Sequence, residues 1–165
     1  MRRKIVIILS IVIVLVVGVF IGINVNREKD LANASGAIVQ DGVIPGYTAE
    51  QIQEMMQRQA DKSTFSFELN SRPVFEDGKS EGALRIANPP YGAYAIQVEI
   101  KLDENQKTVF KTVKLQPNQY IEKAKLLEDL DAGEYSATAI INAYDIDTDE
   151  YVGTSSAKLI IKVEN

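Results

Sequence analysis

The sequence predicts a mainly β protein. It reads as an antiparallel β-sandwich of about seven strands, preceded by one transmembrane helix, a tether and a short amphipathic helix. Three observations carry this. Residues 5–23 form one uncharged apolar run. Residues 48–62 carry apolar side chains at helical spacing. From Ser63 to the end, apolar and polar residues alternate with a period of two.

The apolar run, IVIILSIVIVLVVGVFIGI, has 19 residues without a charge. At about 1.5 Å of rise per residue, such a helix covers roughly 28 Å, close to the hydrocarbon thickness of a bilayer. Arg2, Arg3 and Lys4 precede it, whereas Arg27 and Lys29 after it are balanced by Glu28 and Asp30. The positive-inside rule then places residues 1–4 in the cytoplasm and the C-terminal domain outside the cell membrane. A small-x-small triplet, Ala32-Asn33-Ala34, also suits signal-peptide cleavage, although the run exceeds the about 7–15 residues of a signal h-region. No Cys follows the run, which excludes a lipoprotein anchor.

Residues 24–46 are polar, with a turn at Pro45-Gly46 and one short apolar piece at Ala37-Ile38-Val39; they read as a flexible tether. Residues 47–62 follow as an amphipathic helix. Thr48 is a helix cap and Gln51, three residues on, completes a capping box. Ile52, Met55 and Met56 make one narrow apolar stripe, able to dock on the domain or on a partner helix.

The sandwich is read over residues 63–165. Phe65, Phe67 and Leu69 share one face, and Leu84 and Ile86 flank Arg85. Ile96, Val98, Ile100 and Leu102 alternate with Gln97, Glu99 and Lys101. Val109, Val113 and Leu115 mark the next strand, and Tyr120–Leu127 another. Tyr135, Ala137, Ala139, Ile141 and Ala143 share a face, as do Ala157, Leu159, Ile161 and Val163.

Leu130-Asp-Ala-Gly-Glu-Tyr135-Ser-Ala137 resembles the corner before strand F of immunoglobulin-like domains, where a Tyr hydroxyl bonds back to the upstream backbone. Tyr135 matches that Tyr, and Ala137 stands where antibody domains carry their second Cys. The strand-C Trp is absent, with Ile96 or Val98 in its role. The resemblance implies a disulfide-free immunoglobulin-like or fibronectin-type sandwich over residues 63–165, as in bacterial surface proteins. It implies no particular activity.

Composition excludes several chemistries. The chain has no His, Cys or Trp. It therefore lacks the usual general base, the commonest transition-metal ligand, thiolate chemistry and the strongest sugar-stacking ring. No phosphate loop or dinucleotide fingerprint occurs. After the apolar run, 15 Lys and Arg face 23 Asp and Glu, a net charge of −8, which argues against nucleic acid as a partner. The chain is not expected to be an enzyme or to use a cofactor.

Two loops stand out. Asp145, Asp147 and Asp149 are spaced like the first calcium ligands of an EF-hand loop, but Glu150 replaces the required Gly and Ser156 the required Glu. A solvated turn and a weak calcium site are the two readings. Asn88-Pro89-Pro90-Tyr91-Gly92-Ala93-Tyr94 joins two strands with stiff prolines and two aromatic rings. Pro89, Pro90, Tyr91 and Tyr94, with Ile52, Met55 and Met56, are the candidate partner contacts. The alternative is that they pack on the core. The functional expectation is a non-catalytic, membrane-anchored, extracytoplasmic interaction module of a bacterial envelope or surface assembly. Residues 5–23 would contact the lipid bilayer, and a protein partner would lie at the cell surface. A cell-wall glycan or carbohydrate-binding domain is the second expectation.

Overall fold

The computed structural model describes residues 33–57 and 66–165. The apolar run at 5–23 and residues 58–65 lie outside them. Among the described residues no helix is long and apolar enough to cross a membrane.

The fold is mainly β, with several sheets arranged as a sandwich. Its strands are β1 (Gln40–Asp41), β2 (Val74–Phe75), β3 (Glu81–Gly82), β4 (Ile86–Asn88), β5 (Tyr94–Leu102), β6 (Thr108–Lys111), β7 (Gln119–Ile121), β8 (Ala124–Lys125), β9 (Gly133–Asp145) and β10 (Tyr151–Val163); helix α1 spans Ala49–Met56. One sheet has the order β2-β10-β9-β5-β6. The other layer combines the order β1-β7-β4 with the pair β3-β8.

The second layer is two interrupted strands. Gly82 pairs with Ala124 and Ile86 with Ile121, so β3–β4 holds one more residue than β7–β8. The extra residue is taken up as a bulge at Arg85, whose φ is 46°, while its N–H still donates to Glu122 O at 3.1 Å. A bend of this kind interrupts period two, and it makes the Tyr120–Leu127 alternation irregular in sequence.

The core lies between the layers. Ile96, Val98 and Ile100 of β5, Ala137, Ala139 and Ile141 of β9, and Ile161 of β10 are all buried, as is Phe75 on β2 of the same sheet, and the other layer contributes Leu84, Ile86, Ile121 and Ala124. The small alanines of β9 leave room for the bulkier side chains opposite. Gly82 has a specific reason to be Gly: a Cβ there would stand 2.5–2.6 Å from the Phe75 ring.

Three features differ from the sequence reading. First, not every pair is antiparallel: β2 runs parallel to β10, with Val74 beside Lys162 and Phe75 beside Val163. Second, the strand read at Phe65–Leu69 is a single bridge, Glu68 to Ala87, with Phe67 and Leu69 half-buried against the core and Phe65 outside the described residues. Third, the described part of the segment read as a tether is packed on the sandwich. Lys125 N–H donates to Ser35 O at 3.0 Å, Gln40 pairs with Tyr120, Asp41 with Gln119, and Gly42 N–H donates to Asn118 O. These contacts share one antiparallel register. Ala37 and Val39 face the core while Ile38 points out. Residues 35–42 therefore line the free edge of β7–β8, an edge that would otherwise expose unpaired amides.

Beyond this edge the chain crosses the outer face of the second layer. Ile44 is buried there, and α1 lays Ile52 onto Ala87, with Tyr47, Met55 and Tyr120 around them. The capping box is present: Thr48 Oγ1 accepts from Gln51 N–H, and Gln51 Oε1 accepts from Thr48 N–H. Tyr47 O–H donates to Glu68 Oε1 at 2.7 Å. That bond raises the Tyr47 pKa above the usual phenol value, with lesser help from burial and from the charges of Glu68 and Tyr91.

Candidate functional site

Tyr94 opens β5 and sits opposite Asp145, which closes β9. The loop 89–93 and the turn 146–150 therefore emerge at the same end of the five-stranded sheet, called here the loop end. The segment 113–118 joins them there, because Leu115 bridges to Ile96.

Buried Asn88 ties these loops together. Its Nδ2 donates to Tyr94 O and to Leu115 O, both at 2.9 Å, and its backbone O accepts from Asn118 N–H at 2.8 Å. Gly92 N–H closes the loop onto Pro89 O at 2.9 Å. A Cβ on Gly92 would stand 2.5 Å from Asn88 Oδ1, so the brace and the glycine go together.

The brace also decides which loop residues are available. Pro89 is buried, and Tyr94 is 8% exposed in a small cluster with Ala93 and Ala143. Both pack inward, the alternative the sequence reading held beside partner contact. Tyr94 shares the inward phase of Ile96 and Val98. Pro90 and Tyr91 are half-buried at the loop surface.

The acidic turn is a hydrogen-bonded turn. Asp145 Oδ1 accepts from Asp147 N–H and Thr148 N–H at 3.0 Å, and from Thr148 Oγ1 at 3.2 Å. Asp149, at φ 60°, points its carboxylate at Lys114 Nζ, 2.5 Å away. Asp145 serves the turn amides and Asp149 serves Lys114, so the three carboxylates do not converge on one point. Among the described residues no group of three or more His, Cys, Asp or Glu is placed to hold a metal ion.

Lys114 has a second partner. Its Nζ lies 3.8 Å from the centroid of the Tyr144 ring, a cation–π contact. Tyr144 meets Tyr151 edge to face, with centroids 6.0 Å apart and planes at 72°. Tyr151 O–H shares a 2.7 Å hydrogen bond with Thr154 Oγ1, which holds the ring upright at the hairpin tip. Tyr151 is 61% exposed.

Of the eight exposed large hydrophobic residues among those described, Val113, Ile146, Tyr151 and Val152 are at this end. Single exposed apolar residues are ordinary, but four of the eight lying at one end makes that end the candidate contact surface. The helix stripe does not join it. Ile52 is buried and Met55 half-buried against the chain's own sheet, and of the three only Met56 is exposed. Sequence reasoning missed Asn88, Lys114, Tyr144, Ile146 and Tyr151. The one available signal was two tyrosines flanking an acidic turn at Tyr144 and Tyr151.

No protein-family model matches the chain, and neither a curated protein nor a solved structure matches it.

Proposed function

We propose that this chain is a non-catalytic interaction module, built on an immunoglobulin-like sandwich and anchored at the outer face of a bacterial membrane. The observation that carries the reading is that Ile146, Tyr151 and Val152 of the β9–β10 hairpin and Val113 of the Asn88-braced segment are all exposed at the loop end. Rigid, amphipathic tyrosines on a braced loop make contact area at low entropic cost. The rim is acidic, with Asp147 and Glu150 beside the apolar centre, and Lys114 is already paired with Asp149. The fitting partner is therefore a protein surface with an apolar centre and a Lys- or Arg-bearing rim.

Two features support the immunoglobulin-like form. Tyr135 O–H donates to Asp131 O at 2.8 Å, the back-bond that such corners make. The parallel pairing of an early short strand with the last strand, β2 with β10, is compatible with that topology. The anchor rests on the apolar run at 5–23. The layout fits an accessory subunit of an envelope or surface assembly.

The test is crosslinking of the full-length chain in cells, followed by mass spectrometry. A stoichiometric envelope protein that is lost in an Ile146→Ser/Tyr151→Ser double variant supports the reading. The same partner retained in that variant contradicts it. Tyr151 also favours a second reading, because an exposed ring standing against a second tyrosine suits stacking on a sugar. On that reading the purified chain pellets with cell wall and the double variant does not.

A further inference from the structure

The edge strand supplied by residues 35–42 gives the fold a polarity. β10 leaves the loop end at Tyr151 and finishes at Val163, which pairs with both Gly133 and Phe75. The Phe75 ring lies over Gly82, and Gly82 pairs with Ala124. Next to Ala124, Lys125 N–H donates to Ser35 O. Ser35 is thus at the end of the sandwich opposite the loops. From there the chain runs along β7–β8 to Asp41, beside Gln119, where Asn118 meets Asn88. The chain enters the fold at the far end and reaches the loop end only after crossing the whole layer.

Resting on the proposed span at 5–23, we infer that the loop end is the membrane-distal end, so that its partner is a protein reaching it from outside the bilayer. Only eleven residues, 24–34, separate the apolar run from Ser35. Even fully extended, eleven residues reach no more than about 36–40 Å. The thirteen residues of β9 separate the two ends by about 40 Å. A connection of that reach, fixed at the far end, would have to be fully stretched to turn the loops toward the bilayer, which favours the orientation with the loop end outermost.

The absence of native Cys makes the test clean. The full-length chain is given one cysteine, either Glu104→Cys in the exposed turn at the far end or Ile146→Cys at the loop end. Each is labelled with a donor dye and reconstituted in phosphatidylethanolamine/phosphatidylglycerol vesicles carrying a headgroup acceptor. Asp131→Cys and Val152→Cys form a second pair that repeats the ranking. Energy transfer on the order of twofold greater from the far end, as the ~40 Å separation implies, is the expected result. Equal or greater transfer from the loop end overturns the orientation while the anchor stands. Release of the chain from the vesicles by an alkaline carbonate wash overturns the span at 5–23, and the orientation with it.

Discussion

The side chain of Asn88 donates a hydrogen bond to the backbone carbonyl of Leu115, 27 residues further along the chain. One buried amide thereby holds the loop 89–93 to the segment that carries Lys114. Asn88→Ala removes this donor and the one to Tyr94 O, leaving two carbonyls short of partners. Unmade buried hydrogen bonds cost about 1–3 kcal/mol each, so the variant is expected to lose roughly 2–4 kcal/mol in urea unfolding. Hydrogen exchange should quicken at 89–94 and 113–118 and stay unchanged at the Tyr135 corner.

Two glycines are tight for steric reasons, and a third is not. A Cβ at Gly92 meets Asn88 Oδ1, and one at Gly82 meets the Phe75 ring, whereas one at Gly153 meets nothing within 4 Å. Gly92→Ala and Gly82→Ala are each expected to lose about 1–3 kcal/mol from overpacking. Gly153→Ala should stay within about 0.5 kcal/mol of the parent. Equal losses at all three positions, measured by thermal or urea unfolding, would contradict the packing described.

The edge strand and α1 are held by few side chains, and they are expected to come away before the sandwich melts. Val39→Asp combined with Ile52→Asp puts charge against the core and against Ala87. The expected result is rapid proteolysis within 33–57 while the 66–165 portion stays resistant. Thr48→Ala alone removes the cap and should cost about 1 kcal/mol of helix stability.

Asp103 contributes to acid stability at the far end. Hydrogen bonds to Asp103 from Thr138 Oγ1 and then from Lys158 Nζ hold its carboxyl below the ordinary value of 3.8. A depressed folded pKa contributes stability that is present above 3.8 and is lost as pH falls through the lower, folded value. Asp103→Asn should therefore flatten the loss of stability below that pH in an acid titration, with little change at neutrality in the slope.

The long strands were legible because their alternation runs uninterrupted. β5, β9 and β10 keep one phase for nine residues or more. β1 and β2 were not legible. Each is two residues long, and the inward pair Ala37 and Val39 brackets an outward Ile38 that makes the piece look uniformly apolar. The mismatch opposite Arg85 hid the continuity of β7 with β8, because Ile121 and Ala124 are both buried three residues apart while Gly82, Leu84 and Ile86 keep period two.

At the loop end, the sequence drew attention to two loops that the fold brings to one end, but not to which of their side chains pack inward. Pro89 and Tyr94 pack inward. The partners that decide this, Leu115 for Asn88 and Lys114 for Asp149, lie far along the chain and leave no local pattern. Ile52 and Met55 have helical spacing whether they meet a partner or their own sheet. Only Ala87 beneath them resolves which.

The proposed partner site is the end of the sandwich braced by Asn88. A photo-crosslinking residue placed at Tyr151 and at Ile146 in the full-length chain, and at Glu104 as the far-end control, tests it most directly in intact cells. A discrete adduct from the two loop-end positions, absent from the control, is the predicted result. Adducts of equal yield from all three positions, or from Glu104 alone, would contradict it.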